Sequence, residues 1–303
     1  MDTHGAGAFD APASMGVPVS GEDKGNSMIE ETRELQSLLE KIYRERGFDF
    51  REYKENTLKR RIGRRLRACG VDTYAGYEHV LSQDPAEYDR LFNDLTINVT
   101  SFFRDVAAFE ALEKIVLPAV ISRNAGTGKV IRIWSAGCAT GEEPYSIAMI
   151  LTEFLGRDRV LWDVTLMATD IDGRALKHAE EGIFSSGAVK GVRTPWLEKY
   201  FLQEKSGFRV QPVLRQAVIF ERHDLTGDPP YRNLDLIVCR NVLIYFASPL
   251  QTRVFMAFHE GMKDGAFLLL GKAETPATNT KLMFDCVDKT AKLFRKGSVK
   301  LPG

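Results

Sequence analysis

The first part of the chain carries apolar residues at the spacing of helices. They recur every three or four positions over Leu35–Ile42, behind a capping-box pattern that begins at Ser27. A second, narrow apolar stripe over Leu58–Leu66 predicts a helix at about 51–67. Nothing in this part alternates as a half-buried strand does. The pattern predicts a small all-helical domain over residues 27–97.

Residues 1–26 show no such periodicity. Gly, Ala, Pro and Ser dominate the stretch, and it offers too few apolar side chains to offset the entropy of ordering it. It is predicted to be a disordered leader.

From about Lys129 the pattern changes to short apolar runs between helical segments: Val130–Trp134, Val164–Ala168, Leu234–Val238 and Phe267–Leu270. Continuous apolar runs of this length are typical of strands buried on both faces. They predict an α/β domain over residues 98–303, with a mostly parallel sheet covered by helices on both sides. Within about 183–220, Phe208–Val210 and Val218–Phe220 alternate around turn residues, which predicts a small antiparallel β-insertion.

Composition and charge narrow the class of protein. The 303 residues are 44% hydrophobic and 27% charged, as in soluble globular proteins, and the formal net charge is zero. No global field therefore favours nucleic acid or acidic membrane. The apolar runs are too short to span a bilayer, and the N-terminus lacks the pattern of a secretory signal. The four cysteines and five histidines lack metal-ligand spacing. A cytoplasmic protein with reduced thiols and no metal is predicted.

The segment Ile131–Ser146 is the most informative for chemistry. A strand runs into a glycine turn that contains Gly137, and a helix follows; the carboxyl end of such a strand is where nucleotide-like ligands bind. Glu142 and Glu143 occupy the helix start, where they would repel a diphosphate by about 1–4 kcal/mol at about 4–6 Å. S-adenosylmethionine, with its ammonium and sulfonium, fits better. The alternative is that both acids only complement the helix dipole.

Two further strands end in polar residues at the same rim. Asp170 stands at the tip of the second strand, where a carboxylate accepts hydrogen bonds from ribose hydroxyls, and Asp172 follows as a helix cap. Asn241 follows a later strand, and its amide suits an adenine edge or an amino-acid head group. The alternative is that Asp170 and Asn241 also serve only as caps.

The stretch Asn98–Asp105 joins the two predicted domains. Its adjacent phenylalanines suggest a lid over a cofactor, and Arg104 suits a substrate carboxylate because a guanidinium presents a charged fork. The same pattern also fits a packed linker.

The predicted helix at 51–67 is strongly basic. Its cations are expected to crowd the exposed faces: Lys54, Lys59, Arg60, Arg61, Arg64, Arg65 and Arg67. Nucleic acid phosphates, an acidic helix and anionic lipid are all compatible partners, and a merely solvated face is the remaining alternative.

Four segments together resemble the CheR family of chemotaxis receptor glutamate methyltransferases: Asn98–Arg104 (NVTSFFR), Trp134–Ser146 (WSAGCATGEEPYS), Ala168–Asp172 (ATDID) and Cys239–Phe246 (CRNVLIYF). They occur in the family's order and spacing, and the resemblance extends from Ser27 to about Lys296. It implies a Rossmann-like S-adenosylmethionine-dependent methyltransferase domain with a small inserted antiparallel β-subdomain, preceded by the all-helical domain.

The resemblance also implies roles for residues. Added to the Gly137 turn, it places cofactor contacts at Asn98, Thr100, Arg104, Glu143, Asp170, Asp224, Leu225, Asn241 and Val242. Tyr245 would lie near the transferred methyl, and Arg104 and Tyr245 would hold the substrate carboxylate. The basic helix would engage the cytoplasmic helical bundle of chemotaxis receptors. Because a glutamate is already ionised at neutral pH, with a reference pKa of about 4.3, no general base is expected.

Two departures from the family pattern stand out. Gln203–Gln216 is short, whereas members that bind a C-terminal receptor pentapeptide have a longer loop there, so this chain resembles the untethered members. The family commonly has Gly-His-Ser-Glu where this chain reads Gly271-Lys272-Ala273-Glu274, which would change local hydrogen bonding.

Two other functions remain open from the sequence. One is a non-catalytic, S-adenosylmethionine-binding adaptor that docks through the basic helix. The other is a nucleic acid methyltransferase, which the zero net charge disfavours. The expectation is a monomer that neither binds nucleic acid nor inserts into a membrane.

Overall fold

The computed structural model describes residues 21–96 and 98–298. Its N-terminal domain consists of four helices: α1 (Gly21–Arg46), α2 (Glu55–Cys69), α3 (Tyr74–Gln83) and α4 (Pro85–Leu95). Their apolar faces meet in one core that includes Leu38, Ile62 and Leu91. Asp84 caps α4 by accepting a hydrogen bond from the backbone N–H of Ala86.

The first helix begins earlier than the capping-box pattern predicts. Residues 21–26, expected to belong to a disordered leader, form the first turns of α1; residues 1–20 lie outside the described residues. The expectation is wrong for 21–26 because a helix, once nucleated, extends at little cost: each added residue gains a backbone hydrogen bond.

The second helix begins later than predicted, at Glu55 and not near Arg51. The preceding residues are extended and pair with the segment after Asn241. The N–H of Lys54 donates to the carbonyl of Tyr245 (2.8 Å), and the N–H of Ala247 donates to the carbonyl of Glu52 (2.9 Å). A tertiary contact thus overrides the local helical preference, and it fixes the helical domain onto the second domain.

The second domain alternates helices and strands. Its first helix runs through a π-helical turn, as α5 (Val106–Ala111), Leu112–Val116 and α6 (Leu117–Asn124). The elements that follow are β1 (Val130–Ala136), α7 (Glu142–Leu155), β2 (Asp163–Asp170), α8 (Gly173–Glu181), β3 (Ile183–Phe184), α9 (Thr194–Tyr200), β4 (Phe201–Glu204), β5 (Gly207–Val210), α10 (Pro212–Arg215), β6 (Ile219–Arg222), β7 (Leu234–Cys239), α11 (Ser248–Gly261), β8 (Met262–Leu270), β9 (Phe284–Asp288) and β10 (Leu293–Lys296).

Seven of these strands form the main sheet, in the order β6-β2-β1-β7-β8-β10-β9. The first five are parallel neighbours, and β10 runs antiparallel to both β8 and β9. Alternate residues enter two cores: Ile133 faces one side of the sheet with α7, and Trp134 faces the other side with α11. The α/β class is confirmed, and the carboxyl ends of β6, β2, β1 and β7 meet at one edge.

The inserted subdomain is smaller than expected. Strands β3, β5 and β4 form an antiparallel sheet of their own, which includes the predicted Phe208–Val210 run. The other predicted run, Val218–Phe220, does not belong to it, since β6 pairs in parallel with β2 at the edge of the main sheet. Alternation of side chains reports one buried face, but it does not distinguish parallel from antiparallel pairing.

Candidate functional site

An open cavity lies where the carboxyl ends of the parallel strands meet the helical domain. It encloses about 1090 Å³ of empty space, including the part open to solvent. Every residue that the sequence suggested for the cofactor or the carboxylate lines it: Asn98, Thr100, Arg104, Gly137, Glu143, Asp170, Asp224, Leu225, Asn241, Val242 and Tyr245. Tyr53, Leu95 and Thr96 line it from the helical domain, and sequence reasoning missed these three.

The backbone conformation of the turn after β1 requires glycine. Gly137 has a φ of 79°, and a Cβ there would lie 2.3 Å from Cγ2 of Val242. Gly141 has a φ of 96°, and its Cβ would lie 2.7 Å from Cβ of Ala179. Larger side chains would therefore be strained and would displace the Asn241–Val242 loop or α8.

Asp170 is the last residue of β2, and it lies beside the turn that follows β1. Its Oδ2 accepts from the N–H of Ala139 (2.8 Å), and its Oδ1 accepts from the N–H of Asp172 (2.9 Å). Burial raises the pKa of Asp170, although both backbone N–H groups oppose this shift. Asp172 caps α8, as predicted, by accepting from Arg174 N–H (2.9 Å), and its other oxygen accepts from the Asn98 amide (2.8 Å).

The two acids at the start of α7 have different surroundings. Glu142 does not line the cavity, and its carboxylate accepts a hydrogen bond from Thr140 Oγ1 (2.7 Å). Glu143 lines the cavity and accepts from Ser135 Oγ (2.8 Å) and Arg240 Nη1 (3.2 Å). Burial raises the pKa of Glu143, against the lowering effect of Arg240. Of the two, Glu143 is the one placed to meet a cationic ligand.

Asn241 is held in a left-handed conformation with a φ of 63°. The carboxylate of Glu274 fixes this loop, because its Oε2 accepts from the N–H groups of Asn241 (2.9 Å) and Gly271 (2.7 Å). The side-chain Oδ1 of Asn241 is buried and has no partner among the described residues. The sequence did not connect Glu274 with this loop, because the two lie 33 positions apart. The available signal was that Glu274 keeps the last residue of the family's Gly-His-Ser-Glu segment.

The Asn98–Asp105 stretch is partly a packed linker and partly a wall of the cavity. Phe102 packs edge-on against Phe184 (4.9 Å), and neither Phe102 nor Phe103 lines the cavity, so the phenylalanines form a packed linker and not a lid. Arg104 does line the cavity, and its Nη1 donates to the carbonyl of Val99 (2.8 Å).

Arg240 fixes the backbone on either side of Arg104. It is buried, and its Nη2 donates to the Arg104 carbonyl (2.7 Å) and to Asp105 Oδ2 (2.8 Å). Phe103 and Asp105 both adopt positive φ, at 53° and 62°. Lys272, one of the two departures from the family pattern, pairs with the other oxygen of Asp105 (2.9 Å).

The basic cluster on α2 is less exposed than expected. Arg61 is only 3% exposed: its Nη1 donates to the carbonyls of Asp94 and Leu95 (2.9 Å each), and its guanidinium stacks over Tyr245 (5.2 Å). Arg65 pairs with buried Glu87 (2.9 Å). The expectation of exposure is wrong for Arg61, because its guanidinium reaches the end of α4, whereas Lys54, Arg60, Arg64 and Arg67 are exposed.

A parallel sheet with a glycine turn and carboxylates at its rim defines a Rossmann-like cofactor-binding domain. Sequence comparison places it in a family. The profile for the "CheR methyltransferase, SAM binding domain" matches residues 98–293, and that for the "CheR methyltransferase, all-alpha domain" matches residues 33–96. The chain belongs to the CheR methyltransferase family, and its cofactor is S-adenosylmethionine.

Two individual relatives carry the name of this family's activity. A chemotaxis protein methyltransferase of Listeria monocytogenes is 34% identical over 77% of this chain and 86% of its own length. One of Borreliella burgdorferi is 32% identical over 87% of this chain and 95% of its own length. A 104.1 kDa protein of Rhodobacter capsulatus is 34% identical over 81% of this chain, which spans only 26% of that relative.

The residues present fit this cofactor. The carboxylates of Glu143, which is buried, and Asp170, which is partly exposed, have raised pKa values and suit a ligand that carries an ammonium and hydroxyl groups. The unpartnered Asn241 Oδ1 supplies a free acceptor. Within residues 21–96 and 98–298, none of the helices combines the length and apolar character needed to cross a membrane.

Proposed function

We propose that this chain transfers the methyl group of S-adenosylmethionine to glutamate side-chain carboxylates of chemotaxis receptors. The products would be glutamyl 5-O-methyl esters and S-adenosylhomocysteine. The chemotaxis methyltransferases among the relatives support this choice of acceptor.

The observation that carries the proposal is a groove that joins the cofactor cavity to α2. Arg60, Arg61 and Arg64 line the groove, together with Asn93 and Asp94. Thr96, Asn98 and Val99 line both the groove and the cavity. An acidic helical segment lying on the arginines would therefore lead one of its carboxylates into the cavity, as a cytoplasmic receptor bundle would require.

The residues at this junction suit an acceptor that needs no activation. The cofactor supplies an electrophilic methyl group, and an ionised glutamate is already a nucleophile. Burial raises the pKa of Tyr245, so its phenol stays protonated and can donate to the carboxylate. Arg104, oriented by the Arg240 contacts, would align the carboxylate without a tight ion pair. Alignment and exclusion of water would provide the rate enhancement.

We also propose that no receptor tether is required. Strands β4 and β5 are joined only by Lys205 and Ser206, so the subdomain offers little chain to hold a peptide. Receptor fragments with and without their C-terminal residues should then be methylated at equal rates.

The deciding experiment follows labelled methyl transfer from S-adenosylmethionine to cytoplasmic receptor fragments. Wild type should give base-labile label on glutamates, and Asp170→Ala should give none. Asp163→Ala is the matched control, because Asp163 is exposed at the opposite end of β2 and should leave transfer unchanged. Cofactor binding without labelling of any receptor would favour the adaptor function instead.

Charge reversal tests the groove itself. Arg60→Glu should raise KM for the receptor about fivefold and leave the affinity for S-adenosylhomocysteine unchanged, because a rim charge acts mainly on association. Arg67→Glu, on the same helix but outside the groove, is the control. Equal effects of both substitutions would argue against the groove as the entry route.

A further inference from the structure

The helical domain contributes an aromatic side chain to the cofactor cavity. Of its described residues that line the cavity, which are Tyr53, Leu95 and Thr96, only Tyr53 has a ring. Residues 52–54 lie beside 245–247 as a short antiparallel pair, with a bridge between Tyr53 and Phe246. Tyr53 is thus held against the Cys239–Phe246 motif that forms one wall of the cavity.

The ring of Tyr53 is fixed, whereas its hydroxyl is free. The ring packs edge-on against Phe50 and Phe246, at 5.0 Å in each case. Among the described residues, the hydroxyl has no hydrogen-bond partner. Burial raises the pKa of Tyr53, and the carboxylates of Asp224 and Asp170 raise it further. The phenol is therefore a neutral donor beside two carboxylate residues of the cavity, without an acceptor of its own.

The Tyr53 hydroxyl is not buried from solvent, so water can accept from it in the open cavity, and a ligand that displaces this water must supply an acceptor in its place. Asp170 and Asp224 belong to the end of the cavity assigned to the nucleoside of the cofactor, by the position of Asp170 at the tip of β2. A ribose or purine presents the oxygen and nitrogen acceptors that the phenol lacks.

We propose that Tyr53 is a cofactor-binding residue: its hydroxyl donates a hydrogen bond to the nucleoside end of S-adenosylmethionine, and its ring closes that end of the cavity. Docking of the helical domain then completes the cofactor site. The inference rests on the placement of the nucleoside beside Asp170, and it does not depend on which methyl acceptor the protein uses.

The test is titration calorimetry of the full chain with S-adenosylhomocysteine and with 5′-methylthioadenosine, which keeps the nucleoside but lacks the amino acid. Tyr53→Phe keeps the ring contacts and should weaken both ligands by the same factor, about fivefold for one lost neutral hydrogen bond. Tyr53→Ala should weaken both further, about twentyfold, because the ring is lost as well. Tyr43→Phe, which alters an exposed phenol on α1, should change neither.

Three results would overturn the proposal. Affinities within twofold of wild type in Tyr53→Phe would show that the hydroxyl does not bind the cofactor. A loss confined to S-adenosylhomocysteine would place Tyr53 at the amino-acid end. An equal loss in Tyr43→Phe would mean that the effect is general to the domain. Since no receptor is present, failure here is separate from failure of glutamate methylation.

Discussion

Buried carboxylates occur in both domains, but the two domains surround them in opposite ways. In the helical domain, Glu87 is 1% exposed and accepts from Arg65 (2.9 Å), Tyr77 (2.7 Å) and Arg90 (3.1 Å). Burial raises the pKa of Glu87, but these donors outweigh it and lower the pKa to about 2. In the cofactor cavity, the donors around Asp170 and Glu143 do not outweigh burial, and both pKa values are raised.

The opposite pKa shifts distinguish a carboxylate that stabilises the fold, Glu87, from carboxylates suited to bind a ligand, Asp170 and Glu143. Glu87 finds all its donors on α2, α3 and α4, so its charge stabilises their packing. The cavity carboxylates are ionised at a cost that a bound cation or hydroxyl group would remove, as is common at functional sites. Substitutions should therefore affect stability in one region and cofactor binding in the other.

The largest expected effect is on stability. Glu87→Gln leaves Arg65 without its buried counter-charge and should lower the free energy of unfolding by about 3 kcal/mol, in the range for one partner of a buried pair. Denaturant unfolding measures it, and the affinity for S-adenosylhomocysteine should stay within about twofold of wild type where the variant is folded.

The pH dependence gives this prediction a sign. Since the pKa of Glu87 is lowered in the folded state, its contribution is present above the unfolded value of about 4.3 and is lost as pH falls toward about 2. The difference between wild type and Glu87→Gln should shrink over that window. A difference that persists at pH 2 would contradict the ion-pair explanation.

The second largest effect is on cofactor affinity, with little effect on stability. Asp170→Asn removes an unfavourable buried charge but also replaces one of the two accepting oxygens by an NH2 group, so the loss of stability should be small and well below that of Glu87→Gln. The affinity for S-adenosylhomocysteine should fall about 100-fold, which corresponds to about 2.7 kcal/mol. Calorimetry measures the affinity and denaturant unfolding measures the stability of the same sample. A variant that loses stability but keeps its affinity would show that Asp170 acts as Glu87 does.

The sequence predicted the rim of the cavity well, for a physical reason. Parallel strands end at one edge, so residues that follow β1, β2 and β7 must converge there whatever the loops do. Gly137, Asp170 and Asn241 could therefore be grouped before any coordinates, although their role as cofactor ligands remains a prediction.

The sequence did not predict where long side chains point, or which residues far apart in the sequence are in contact. Periodicity placed Arg61 beside the apolar stripe, but its partners are carbonyls more than 30 positions away. Glu274 and Tyr53 reach the site from segments with no motif of their own. The Val218–Phe220 run was assigned to the wrong sheet because alternation carries no information on the partner strand.

A third, smaller effect concerns the support of Arg104. Arg240→Lys keeps a charge but cannot reach three acceptors at once, so the Arg104 backbone and Glu143 should both lose alignment. We expect kcat/KM for the receptor to fall about tenfold, which is about 1.4 kcal/mol. Arg232→Lys, whose exposed pair with Glu260 lies outside the cavity, is the matched control. Equal losses in both variants would mean that Arg240 has only a general structural role.

The smallest effect tests the raised pKa of Glu143 directly. In the free protein its carboxylate begins to take up a proton at a higher pH than an ordinary glutamate does, and a protonated Glu143 cannot pair with an ammonium. The Kd for S-adenosylhomocysteine should therefore rise about threefold as pH falls from neutrality toward the raised pKa, since binding must displace that proton. The Kd for 5′-methylthioadenosine, which has no ammonium, should rise less over the same range, because of these two carboxylates only Asp170, at the nucleoside end, then couples its binding to a proton. Parallel pH profiles for the two ligands would place the titrating group away from the amino-acid end, and would remove Glu143 from the comparison with Glu87.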